Sequence, residues 1–169
     1  YYAVIYQFGF SLMTMASGIF ISVLTPIIFQ KIENDRNLSL FKLNNGILIT
    51  GLTLSILSFV LTFFFHEGLF RLVVDSRYVK VSYLLPWMIL SGSINSIAQA
   101  YSLILMAKKK IFTLLPIKIS TSIIAVFLNF YGAKFFGLSG VVAANLIFSV
   151  ILLISLISTI YWNEKLTKF

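Results

Sequence analysis

The sequence has no cysteine, a single histidine, three prolines and only five acidic residues in 169 positions. The missing cysteines exclude disulfides, thiolate zinc sites, iron–sulfur clusters and cysteine nucleophiles together. One histidine and five scattered carboxylates leave no metal-ligand cluster, so neither a metal nor a cofactor is expected. Charge is scarce as a whole. Charged residues make up 11% of the chain and hydrophobic residues 59%, whereas an ordinary soluble domain is about a quarter charged. With a mean hydropathy of +0.99, the composition is that of an integral membrane protein. The net charge of +8 does not require a nucleic acid, because a nucleic-acid face needs a broad wetted surface and little wetted surface is available here. Loop charge on one side of a membrane accounts for it.

What is abundant is apolar sequence. Five uncharged or nearly uncharged runs cover 3–29, 46–65, 81–107, 111–131 and 139–162. Each is long enough to cross a hydrocarbon core, which takes about 20 helical residues. None alternates apolar with polar residues as barrel strands do, and a backbone in lipid must satisfy its own hydrogen bonds, which leaves helices. The expected fold is therefore an all-α polytopic membrane bundle with five transmembrane helices in one membrane domain.

The connections are short. The segment 30–45 interleaves Lys31, Glu33, Asp35, Arg36 and Lys42 with leucine, isoleucine and phenylalanine, a mixture that suits either a short amphipathic helix at the interface or a solvated loop. The segment 66–80 has a similar mixture, and the third connection is Lys108, Lys109 and Lys110. Sorting basic residues by alternate loops puts eight on the face of the first loop, the lysine triplet and the tail, and four on the other, with Lys118 left inside a span. Lys and Arg are retained on the cytoplasmic side. The segment is thus expected to start outside and end in the cytoplasm. It begins at Tyr1 without an initiator methionine or signal peptide, and an odd number of spans starting outside is unusual for a complete protein, so part of a longer chain is expected.

All five spans carry small or polar residues at helical spacing. The first has Gln7, Ser11, Thr14, Gly18, Ser22 and Thr25; the second Gly51, Ser55, Ser58 and Thr62; the third Ser91, Asn95, Gln99 and Ser102. The fourth aligns Lys118, Ser122, Ala125 and Asn129, and the fifth Gly140, Ala144 and Ser149 with Asn145 beside them. Such faces serve helix packing, with hydroxyls bonded to carbonyls one turn back, or they line a pathway. Packing is the reading for the first, second and fifth. Both readings stay open for Asn95, Gln99 and Asn129, because an amide in hydrocarbon needs a partner. Lys118 either faces a cavity or snorkels back toward Lys110, eight residues earlier. Pro26, Pro86 and Pro116 lie near span ends, where each removes a backbone donor and can bend a helix. His66 reads as a solvated helix-end residue that could titrate near neutral pH. No carboxylate lies in any span, and neither G-x-S-x-G, H-E-x-x-H nor a P-loop occurs. No catalytic residue is named, and an enzyme is not expected.

From Arg71 to Val150 the sequence runs through Asp75-Ser76-Arg77-Tyr78, then Leu105-Met106-Ala107 before the lysine triplet, then Leu128-Asn129. The turn Phe136-Gly137-Leu138-Ser139-Gly140 and Ala143-Ala144-Asn145 follow. In this arrangement the sequence resembles the polysaccharide (O-antigen type) flippases of the multidrug/oligosaccharidyl-lipid/polysaccharide exporter superfamily, and the first span, from Tyr1-Tyr2-Ala3 to Pro26, is similar to the family's eighth helix. The resemblance implies part of the C-terminal lobe of a two-lobe transporter of twelve or more helices in the bacterial inner membrane. It implies movement of an undecaprenyl-diphosphate-linked sugar repeat unit across that membrane by alternating access. The partners it implies are the lipid-linked oligosaccharide, membrane lipids, the N-terminal lobe of the same chain, a polysaccharide polymerase and glycosyltransferases, with no nucleic acid. Lys118, Asn95, Gln99 and Asn129 are the candidate cavity-lining residues. A drug or peptidoglycan-precursor exporter of the same superfamily and a non-transporting membrane scaffold subunit remain as alternatives, with a membrane glycosyltransferase or polymerase behind them.

Overall fold

A computed structural model describes residues 2–34, 40–73 and 76–166, with side chains described over 2–30, 45–71 and 79–162. Every regular element among these residues is helical. In chain order they are α1 (Tyr2–Ile5), a π-helical turn (Tyr6–Ser11), α2 (Leu12–Asn34), α3 (Leu40–Val73), a 3₁₀ segment (Ser76–Leu84), α4 (Leu85–Ala107) and α5 (Ile111–Leu166). Among the described residues, four stretches are long and apolar enough to cross a membrane: Tyr2–Gln30, Asn45–Arg71, Val79–Ala107 and Ile111–Trp162. Their outward surfaces are crowded with large apolar side chains such as Phe20, Phe64 and Phe112, the last 90% exposed. A surface of that kind suits hydrocarbon rather than water.

The fourth and fifth expected spans are not separate helices. They lie within α5, whose apolar stretch of 52 residues would extend about 78 Å if straight, against a hydrocarbon core of about 30 Å. It is not straight. Gly137 has φ 58° and ψ −134°, a combination open only to glycine, at which the helical path breaks. Gly132 and Gly140 would stand about 12 Å apart on a straight helix, yet a Cβ added at Gly132 would come within 2.6 Å of the Gly140 carbonyl oxygen, and one added at Gly140 would overlap the Gly132 carbonyl. The chain therefore doubles back at Gly137. The start of one arm, at Leu114, is buried with Leu156 and Ile160 near the far end of the other.

Helix boundaries also run past the apolar runs. α2 continues to Asn34 and α3 begins at Leu40, so helix occupies much of the expected loop over 30–45. α3 likewise extends to Val73, and the 3₁₀ segment follows. Charge marks where a helix leaves hydrocarbon, but it does not interrupt the backbone hydrogen bonds. The amphipathic character expected of the first loop, the Asp75-Ser76-Arg77-Tyr78 side chains and the last residues of the tail lie outside the described residues.

α4 is the centre of the bundle. It touches α2, α3 and α5, and 67% of its apolar window is buried, compared with 6% for the first stretch and 11% for the second. Pro86 sits in its first turn, where the missing N–H is not needed. At one end Ile5, Phe70, Leu84, Met88 and Val142 are buried together. At the other, Tyr101 and Leu105 of α4 join Leu114, Leu152 and Leu156 of α5. The first stretch crosses α4 at close range: a Cβ on Gly92 would meet the Phe10 carbonyl oxygen at 3.0 Å. Small residues at such a crossing let two backbones approach where leucine would hold them apart. α4 ends in a Schellman turn, with Lys110 N–H donating to the Leu105 carbonyl at 3.0 Å, Lys109 N–H to that of Met106 at 2.9 Å, and Lys109 in the left-handed region at φ 58°.

The hairpin makes a direct prediction. Gly140→Leu forces a side chain into the Gly132 backbone and is expected to cost at least about 2 kcal/mol in denaturant unfolding monitored by helicity in micelles. Gly18→Leu, where nothing stands within 4 Å, is expected to leave stability unchanged.

Candidate functional site

Membrane helices leave few ways to satisfy a hydroxyl, and most here bond back onto their own helix. Thr14 donates to the Phe10 carbonyl at 3.1 Å, Thr25 to Ile21 at 2.6 Å, Ser55 to Gly51 at 2.7 Å and Thr62 to Ser58 at 2.7 Å. Other polar groups join helices. Ser17 donates to Ser96 at 2.7 Å, and Ser96 passes its own proton to the Gly92 carbonyl at 2.8 Å. Ser91 and Ser149, both fully buried, meet at 3.1 Å, while Ser149 lies 2.9 Å from the Asn145 carbonyl. Asn145 in turn donates to the Tyr2 hydroxyl at 3.1 Å and the Val141 carbonyl at 2.9 Å. His66 is half-buried, and its Nδ1 lies 2.8 Å from Oγ of the buried Ser82. Instead of standing free at a helix end, it ties α3 to the 3₁₀ segment.

Grooves open on the bundle surface among the described residues. One, of about 350 Å³, runs between α2 and α3 over a floor of Ser93, Ser96, Ile97 and Ala100 from α4. Its walls include Phe20, Leu24 and Leu54, and Ser17, Ser55, Ser93 and Ser96 have each placed their protons within the protein. What they still offer is acceptor oxygen. The other groove, of about 500 Å³, lies along the two arms of α5 beside Gly132, Gly140 and Ala144. Neither arrangement supplies a nucleophile or an acid–base pair. Among the described residues no three His, Cys, Asp or Glu side chains come close enough to share a metal.

The four candidate lining residues do not converge on either groove. Asn95 is 9% exposed in the centre of α4, and its amide makes no hydrogen bond among the described residues. Gln99, one turn further along the same helix, is exposed. Lys118 is exposed on the outer flank of the first arm of α5. Asn129 is half-buried and donates to the Ala125 carbonyl at 2.9 Å, so part of its bonding is met within its own helix.

Sequence reasoning followed one polar stripe on α4 and missed another. Ser93, Ser96 and Ala100, at i, i+3 and i+7, form the floor of the groove between α2 and α3. A full helical wheel of this span carries that signal, because it shows two polar lines, one on each side of the Ile97 row. The interhelical pairs Ser17–Ser96 and Ser91–Ser149 depend on which helices become neighbours, and spacing within a helix is silent on that.

The buried serine pair gives a measurable coupling. A double-mutant cycle with Ser91→Ala and Ser149→Ala is expected to return about 0.6 kcal/mol of interaction, the usual size for a hydrogen bond between membrane helices. It should be read from unfolding in micelles. In comparisons with known proteins, no protein-family model, curated protein or solved structure matches the chain.

Proposed function

We propose that this chain is a segment of a membrane transporter, namely the C-terminal lobe of a flippase that moves a lipid-linked oligosaccharide, of the undecaprenyl-diphosphate type, across a bacterial inner membrane. On this reading both arms of α5 cross the bilayer, so the segment makes five crossings in a transporter of twelve or more helices. It starts outside and finishes on the basic, cytoplasmic side. The remaining lobe of the same chain closes over it, and the polysaccharide polymerase and glycosyltransferases of the pathway work beside it.

The observation that carries the proposal is Asn95. An amide nine-tenths buried at the centre of the most buried helix, with no protein partner among the described residues, has donor and acceptor capacity in hand. In hydrocarbon such a group is costly unless water, cargo or another part of the protein satisfies it. Two further features support the reading. The Phe136–Gly140 segment that carries the family resemblance falls on the reversal of α5, and the groove beside Ser93 and Ser96 gives α4 an acceptor-lined face. Lys118, Gln99 and Asn129 stay in the proposal as lining residues that would meet the other lobe or the cargo.

A second reading, a non-transporting scaffold subunit, draws on the serine pairs. Ser17–Ser96 and Ser91–Ser149 employ polar residues for helix association alone. A drug or peptidoglycan-precursor exporter has the same architecture as the flippase and differs in cargo.

Asn95→Leu in the full-length protein separates transport from scaffolding. The substitution keeps the approximate side-chain volume and removes the unpaired amide, so folding and insertion are expected to hold or improve. Surface polysaccharide in a flippase-deficient strain is expected to fall at least tenfold. Undiminished polysaccharide would contradict the proposal, and rescue of a drug-export or peptidoglycan-precursor defect in place of the polysaccharide defect would reassign the cargo.

A further inference from the structure

The first apolar stretch is not one regular helix. Between α1 and α2 the backbone widens over Tyr6–Ser11 into the π-helical turn, and Leu12 N–H donates to the Gln7 carbonyl five residues back. Such turns are rare and hold one residue more than the α-helical turn they replace, so something must select this one. The faces of the two flanking helices show what it corrects. Along α2 the less exposed residues are Met13, Thr14, Ser17, Ile21 and Ile28, and Ser17 bonds Ser96 of α4. Carried back at about 3.6 residues per turn, that face would meet Phe10, Tyr6 and Ala3. Instead Gly9 and Ile5 are buried, and Ala3 is exposed. The wide turn therefore rotates the Tyr2 end by roughly one residue, about 100°, relative to α2.

The crossing with α4 selects that rotation. A Cβ added at Gly9 would lie 2.7 Å from Cβ of Met88, and one added at Gly92 would meet the Phe10 backbone at 3.0 Å. With the turn present a glycine faces Met88, Ile5 is buried with Phe70, Leu84 and Met88, and the Tyr2 hydroxyl accepts from the Asn145 amide at 3.1 Å. Tyr2, Tyr6 and Phe10 form an aromatic row, with ring centroids 5.6 and 5.1 Å apart. Without the extra residue this row would swing toward α4. A close-packed crossing too tight for a methyl group does not admit rings, so the two helices would have to part there. We propose that the π-helical turn Tyr6–Ser11 is a conformational switch. In its π form it closes the Tyr2 end of the bundle on α4. On conversion to α-helix the aromatic row turns inward, the bond between Asn145 and Tyr2 breaks, and that end of the bundle opens. The Ser17–Ser96 bond, beyond the turn, stays in place as the pivot. The inference rests on the register of the first stretch and not on the transported cargo.

The chain has no cysteine, so Ala3→Cys carries a single nitroxide on the full chain in lipid vesicles, and collisions with dissolved oxygen report whether position 3 faces lipid or protein. In the otherwise unsubstituted protein the label is expected to be accessible. Gly9→Ala crowds the crossing and favours the α form, which turns position 3 toward α4. Its oxygen accessibility is expected to fall toward that of a buried site, with circular dichroism unchanged. Gly92→Ala presses on the same crossing from α4 and is expected to act in the same direction. Deletion of Gln7 removes the extra residue while leaving Ile5 inward, and is expected to keep position 3 accessible whatever stands at position 9. Helices merely wedged apart by the added methyl would leave the label as accessible as before, and that result in a folded variant would overturn the proposal. A second measurement needs no glycine variant. Labels at Ala3 and at the exposed Lys80 are expected to give two distance populations by electron–electron resonance, and a single narrow population would also overturn it. Neither assay has a transport step, so failure of the flippase reading leaves their outcome intact.

Discussion

Hydrocarbon offers no hydrogen-bond partner, and the main features of the described fold answer that constraint. The backbone is helical throughout the described apolar stretches because only a helix pairs its own N–H and C=O groups without a neighbour. The same requirement turns hydroxyls back onto carbonyls one turn away, as at Thr25, Ser55 and Thr62, or into pairs across a helix contact, as at Ser91 and Ser149. Chain reversal is restricted as well. At Gly137 the path turns through a conformation that only glycine adopts readily, and the arms close so tightly at Gly132 and Gly140 that a side chain at either would meet backbone.

With no hydrophobic force between helices in lipid, association depends on close packing and on those few polar contacts. That explains why α4 holds the bundle together. It brings Gly92 to the crossing with Phe10, Ser96 to Ser17 and Ser91 to Ser149, so it makes the interhelical bonds to α2 and α5. α2 and α3 lean on α4 more than on each other, and the groove between them follows from that arrangement. Among the described residues, the buried Asn95 stands outside this pattern of internal satisfaction. It lies in the most buried of the apolar stretches, whereas Lys118 on α5 is exposed.

Much of this was legible in the sequence, and the reasons are specific. Hydrocarbon selects composition so strongly that the runs 3–29 and 46–65 announce helices from composition alone. The reversal within α5 was legible only as a break between the fourth and fifth apolar runs, whereas helix runs up to Gly137 and on from it. The ends of α2 and α3 were not, because charges such as Lys31 and Arg71 locate the interface, whereas a helix ends only where its hydrogen-bond pattern ends. The candidate site was half legible. Type and spacing marked Asn95 and Gln99 alike, yet one is buried and the other exposed, because the rotation of α4 against its neighbours is fixed by the glycine crossing and by α5. His66 shows the same limit: its partner Ser82 is 16 residues away, on a segment that only the fold brings back.

The account depends most on α5 doubling back at Gly137, since the parallel alignment of its second arm with α4 and the five-crossing reading both follow from it. Spin labels at Ile119 and Ile154, both exposed, one on each arm, measure this in the bilayer by electron–electron resonance. Two antiparallel arms, each a helix of about 10–12 Å diameter, place the labels within about 25 Å of each other. A single unbroken helix over the intervening residues would place them about 50 Å apart, and a distance distribution centred there would contradict the account.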